Sequence, residues 1–158
     1  MSSSNKNLNE FSQKNLIDIS NKVIAIVVSE WNFEITEALF SGAFETLISF
    51  GAKKENIIRK DVPGSFELPL GALLMAEKKK VDAVICIGCV IQGETKHFDF
   101  ISQATANGIV EVNLKTKKPI VFGVLTTDNL EQAKDRAGGK HGNKGVEAAV
   151  TAVKMLAF

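Results

Sequence analysis

The chain has 158 residues, 45% of them hydrophobic and 23% charged, with a formal net charge of +1. That length suits one domain able to bury roughly 70% of the surface its unfolded chain exposes. The near-neutral balance excludes a general pull toward nucleic acid or membrane, so any attraction for an anion must be local.

Taken in order, residues 1–11 are polar and expected to form a disordered arm, with a single domain over 12–158 and a short edge strand beginning near Phe11. The arm has no apolar segment of the kind that drives secretion, no later run is long enough to span a bilayer, and the expected location is the cytoplasm. Val23–Val28 is a buried strand ending at Ser29-Glu30-Trp31-Asn32. A helix is predicted over Glu34–Phe50, with Ile35, Leu39, Ala43 and Leu47 on its inner face and Gly51 as its stop. Asn56–Val62 is a short strand. Pro63-Gly64 breaks the chain, and a helix over Phe66–Lys79 is closed by the cations Lys78-Lys79-Lys80.

The stretch from Val81 to Phe100 organises the rest. A nearly unbroken apolar run through Ile87 reads as a strand covered on both faces. A glycine-bracketed loop follows, Gly88 to Gly93, and helical spacing takes over at Phe98, Ile101, Thr105, Ile109 and Val112, with the helix start expected at Glu94 to His97. Ligands of open α/β sheets bind outside the carboxyl ends of the strands, and a helix N-terminus favours an anion. Pro119 opens the next strand, Ile120–Leu125. Asp128 is a candidate N-cap for a helix through Arg136, Gly138–Gly145 reads as a flexible helix-to-helix connection, and a last apolar helix runs over Val146–Phe158. Four buried strands alternating with helices give a three-layer α/β/α sandwich with a mostly parallel four-stranded sheet.

Cys86 and Cys89 have C-x-x-C spacing, but side chains three apart on a strand face opposite sides of the sheet, and the two histidines lie far apart in sequence. Buried, unpaired thiols and no metal site are therefore expected. The glycine-rich loop is not a phosphate-binding G-x-x-x-x-G-K-[ST] loop, and no G-x-G-x-x-G follows the first strand. His97 and Arg136 are the chemically useful side chains. Each also has a plainer role open to it: His97 as a capping residue, Arg136 as the partner of a neighbouring carboxylate, Trp31 as core and Glu67 as a first-turn helix carboxylate. Trp31, Ser65 to Glu67, Cys89 to His97 and Phe122 nevertheless all fall at or near predicted carboxyl ends of strands.

VPGSFELP (Val62–Pro69), GCVIQGETKHFDFI (Gly88–Ile101), GVLTTDNLEQAKDRAG (Gly123–Gly138) and GNKG (Gly142–Gly145) together resemble the 6,7-dimethyl-8-ribityllumazine synthases, over about residues 12–158. The resemblance implies a flavodoxin-like fold. It also implies a cofactor-independent condensation of 5-amino-6-(D-ribitylamino)uracil with 3,4-dihydroxy-2-butanone 4-phosphate, the penultimate step of riboflavin biosynthesis. It implies that Trp31 lies against the pyrimidine, that Cys89, Val90 and Ile91 read its edges through their backbone, and that Ser65, Phe66 and Glu67 hold the ribityl chain. Glu94 and Thr95 would hold the phosphate with Arg136, His97 would transfer protons, and Phe122 would close the site from the neighbouring subunit, with Arg136 lying across that same interface. Gln92 and Glu94 depart from the family pattern, and a carboxylate at 94 suits a phosphate only if its backbone N–H faces the site. The resemblance further implies a homo-oligomer with active sites at subunit interfaces, built from pentamers, and riboflavin synthase as a candidate partner. The uninterrupted Gly138–Gly142 connection is compatible with an icosahedral cage. Rival readings are a non-catalytic lumazine- or flavin-binding or shell protein on the same scaffold, and a flavodoxin-like FMN carrier; the latter lacks its phosphate loop here.

Overall fold

A computed structural model describes residues 17–158. The polar arm over 1–11 and the strand expected near Phe11 lie outside the described residues. The main sheet holds β1 (Ile24–Ser29), β2 (Ile57–Val62), β3 (Ala83–Ile91) and β4 (Ile120–Thr127), in the order β2-β1-β3-β4. All three pairings are parallel. Helices α1 (Phe33–Ser49), α4 (Leu130–Arg136) and α5 (Lys144–Leu156) cover one face, and α2 (Leu68–Ala76) and α3 (His97–Thr116) the other. This is the expected three-layer α/β/α sandwich of flavodoxin-like form.

Strand parity divides the core. Ile24, Ile26 and Val28 point toward α1 and α5, while Ala25 and Val27 point toward α2 and α3. The same alternation sends Cys86 into the α2–α3 core and Cys89 into the opposite one, as free buried thiols. β2 is an exception to the four buried strands: as an edge strand it is only partly covered. Its Arg59 is held by Glu37 and Asp61 and lies 4.5 Å over the Phe40 ring, which charges an edge that would otherwise invite another strand.

Helix ends show where local signals suffice and where they fail. α1 ends at Ser49, and Gly51 just beyond it, with a φ of +92°, is the left-handed stop expected there; Gly51 N–H reaches Ile48 O and Ala52 N–H reaches Leu47 O. α2, by contrast, stops at Ala76, not Lys79, and is preceded by a 3-10 turn over Ser65–Glu67. Lys78-Lys79-Lys80 therefore sits beyond its last turn. The cation that closes α2 is Lys118, whose ammonium donates to Ala76 O at 2.6 Å, Val81 O at 2.7 Å and Lys78 O at 3.3 Å. Asn129, not Asp128, caps α4, accepting Gln132 N–H at 2.9 Å. Asp128 instead exchanges hydrogen bonds with the Gln132 side chain.

The Gly138–Gly145 segment is not a loose connection. Ala137–Gly139 (β5) and Gly142–Asn143 (β6) form a small antiparallel hairpin. Asn143 accepts Gly145 N–H at 2.8 Å to cap α5 and donates to Ala38 O of α1 at 2.9 Å. A Cβ at Gly145 would run into the Leu39 carbonyl, which is backbone and cannot swing aside. Gly145→Ala should therefore destabilise the fold by about 1–3 kcal/mol. A lower thermal midpoint at fixed protein concentration is the expected result; an unchanged midpoint would show that α1 and α5 can separate freely.

Candidate active site

With strand order β2-β1-β3-β4, successive connections leave in opposite directions between β1 and β3, and a crevice opens at their carboxyl ends. Its volume is about 530 Å³. β1 delivers Trp31 and Asn32 to its rim, the β2–α2 connection delivers Gly64 to Glu67, β3 delivers Cys89, Val90 and Ile91, and α3 delivers His97 and Ile101.

The rim is built by close backbone approach. Glu30 N–H donates to Val62 O at 2.9 Å and Trp31 N–H to Pro63 O at 3.3 Å, tying the end of β1 to the end of β2. Asn32 adopts a left-handed conformation (φ 58°), which asparagine tolerates better than most residues. Its side chain donates to Cys89 O at 2.9 Å, fastening the Trp31 turn to β3. Sequence reasoning missed Asn32. The visible signal was an asparagine directly between a strand end and a helix start.

Trp31 is 73% exposed and Phe66 is 57% exposed, which rules out the core reading of Trp31 and leaves two aromatic faces free. Gly64 stands between Trp31 and Glu67. A Cβ there would lie 3.1 Å from Glu67 Oε2 and 3.5 Å from Trp31 Cδ1, so the absent side chain leaves room for carboxylate and indole at one place. Cys89 lines the crevice, but burial pushes its thiol up to about 12, as it does that of Cys86. Neither sulfur offers a thiolate near neutral pH.

The strand expected to open into a loop at Gly88 continues to Ile91, and α3 begins only at His97. Residues 92–97 are all exposed. Glu94 and Thr95 thus precede the helix rather than start it. Thr95 Oγ1 accepts His97 N–H at 3.3 Å, so this hydroxyl serves one of the free N–H groups of the first turn.

Phe122 and Arg136 are not in this crevice. They line a second concavity of about 610 Å³ that runs along the open edge of β4, between α3 and α5. Arg136 Nη1 donates to Gln132 O at 3.1 Å, and among the described residues it forms no ion pair, so it is not the partner of a neighbouring carboxylate. Lys144, on the same wall, is engaged by Glu147 at 2.6 Å. Among the described residues, no group of three or more acidic, histidine or cysteine side chains is placed to hold a metal ion, and no helix is long and apolar enough to cross a membrane.

A model of the family described as 6,7-dimethyl-8-ribityllumazine synthase matches residues 21–158. A protein of that name from Cytophaga hutchinsonii is 65% identical over 157 residues, covering 99% of this chain and 98% of its own length. One from Parabacteroides distasonis is 52% identical, covering 100% of this chain and 99% of its own. Another, from Flavobacterium johnsoniae, is 52% identical over 98% of this chain and 82% of its own. The chain belongs to the 6,7-dimethyl-8-ribityllumazine synthase family, enzymes of the condensation step in riboflavin biosynthesis.

Proposed function

We propose that the active site is shared: the crevice at the ends of β1 and β3 binds the pyrimidine, and a neighbouring copy supplies the β4-edge concavity that completes it. The observation that carries this reading is the division of the expected site residues between two separate concavities of one chain. A heterologous contact that sets one copy's β4 edge over the next copy's crevice reunites them, and closing such contacts by rotation produces a ring.

In this reading Trp31 lies against the pyrimidine, backbone groups of Cys89 to Ile91 bind its polar edges, and Glu67 accepts hydrogen bonds from the ribityl hydroxyls beside Ser65 and Phe66. The butanone phosphate lies with its phosphate at the backbone of Glu94 and Thr95, opposite Arg136 of the neighbour, while the neighbour's Phe122 covers the ring. The 5-amino group attacks the ketone and loses water to give an imine. Phosphate is then eliminated, and the ribityl nitrogen adds to the remaining carbonyl with loss of a second water. Each stage moves protons, and His97, exposed at the crevice mouth, is the side chain suited to carry them near neutral pH. The same reading makes the protein a cytoplasmic homo-oligomer built from pentamers, its short β5–β6 hairpin compatible with a cage. Riboflavin synthase, which consumes the lumazine, is its proposed partner.

Two singly defective chains test the sharing. His97→Gln and Arg136→Ala proteins are unfolded and refolded together, one to one, and lumazine formation is followed by absorbance. About a quarter of the sites should regain both native residues, raising activity above the mean of the parents. Activity that stays at the parental mean would place both residues in one subunit's own site, and a monomer in light scattering would exclude sharing outright.

A further inference from the structure

Gly88 lies inside β3, paired with Val124 of β4, on the face that carries Cys86 toward α2 and α3. A glycine in a strand interior weakens the strand and marks a place where another segment approaches the backbone closely. Here that segment is the Ser65–Glu67 turn. A Cβ on Gly88 would stand 2.7 Å from Ser65 Oγ, 2.9 Å from Leu68 Cδ1 and 3.4 Å from Val124 Cγ1. Ser65 is 6% exposed, its hydroxyl has no hydrogen-bond partner among the described residues, and its carbonyl accepts from Thr105 Oγ1 at 3.1 Å. Leu68 is fully buried in the α2–α3 core. Ser65 opens the turn and Leu68 follows it, so the two contacts bracket Phe66 and Glu67. The Ser65 hydroxyl can rotate aside, but Leu68 is fully buried and its methyl has little room to swing, so relieving that contact moves the start of α2, and the turn joined to it, away from the sheet.

The geometry points to Gly88 as the positioning residue that sets how closely the Phe66–Glu67 rim approaches Cys89 to Ile91, and hence how the pyrimidine's polyol chain fits. This inference rests on the proposed role of that rim in holding the ribityl chain. Gly88 itself is not among the residues that line the crevice. The butanone phosphate, held in the proposed site by the neighbour's Arg136, is insulated from the shift.

Steady-state kinetics of the full-length oligomer with both substrates test it. Gly88→Ala should raise KM for the pyrimidine about tenfold, since sub-ångström to ångström displacements of a binding group carry penalties of that order or more. KM for butanone phosphate should stay within about twofold, with circular dichroism and oligomer size unchanged. Gly88→Ala/Leu68→Val, which removes the crowded Leu68 methyl, should recover at least about threefold of the loss. If Gly88→Ala does not fold, Ser65→Thr crowds the same gap from the turn's side and should give the same split. An equal rise in both KM values, a pyrimidine KM within twofold of native, or no recovery in the double variant would overturn the proposal. Glu67→Gln separates the two levels. If it also leaves the pyrimidine KM unchanged, the rim does not hold the ribityl chain; if it raises that KM while Gly88→Ala does not, only the positioning role fails.

Discussion

Arg136→Ala should weaken butanone phosphate binding by about 2–4 kcal/mol, or roughly 30- to 700-fold, while pyrimidine affinity changes less than about threefold. A guanidinium has five N–H donors in a fixed fork that matches a phosphate. In this chain one of its nitrogens donates to Gln132 O, and no carboxylate of the described residues neutralises it. Its donors are thus held in place from within α4 and remain available at the concavity wall. Lysine in its place is expected to recover only part of the loss, because a point charge replaces the fork. Isothermal titration with each substrate separately checks this. Equal loss for both would make Arg136 a support of the fold or the interface.

His97→Gln should lower turnover about ten- to a hundredfold with the pyrimidine still bound, an effect at or below the low end for a positioned acid–base group. Proximity limits it: holding two reactants in register can itself supply roughly 7–11 kcal/mol, and that contribution does not pass through the imidazole. Single-turnover absorbance measurements at saturating substrate separate the chemical step from binding. Native turnover in His97→Gln would remove the imidazole from the mechanism, and loss of pyrimidine binding would assign it to substrate recognition instead.

Together these two variants bear on a division that no single chain displays as one site. Phe122 and Arg136 line the β4 edge, and Trp31, Glu67 and His97 line the crevice of β1 and β3. Substrate-selective loss at Arg136 and turnover loss at His97 would show the two halves acting on different parts of one reaction.

How much of this was legible in the sequence depended on whether the determining contact was local. The buried runs of β1 and β3 and the inner face of α1 (Ile35, Leu39, Ala43, Leu47) follow from periodicity, because burial on one face imposes a repeat on the residues themselves. So do the Gly51 stop and the opposite fates of Cys86 and Cys89, which depend only on backbone preference and strand parity. Local chemistry failed where a distant group supplied the contact. The triple lysine after α2 looked like its cap, yet Lys118 arrives from the α3–β4 turn to satisfy the carbonyls. Asp128 was the nearer capping candidate, but its side chain is engaged by Gln132 and Asn129 takes the role. The glycines after Gly138 read as slack, whereas Asn143 draws them into a hairpin against α1. The sequence by itself determined the layer pattern, the family motifs and the candidate site residues, since these are properties of short segments. Only the tertiary structure decided which of those side chains share a cavity. That depends on strand order, and the order β2-β1-β3-β4 leaves β4 at an edge, carrying Phe122 and Arg136 away from the crevice lined by Trp31, Glu67 and His97.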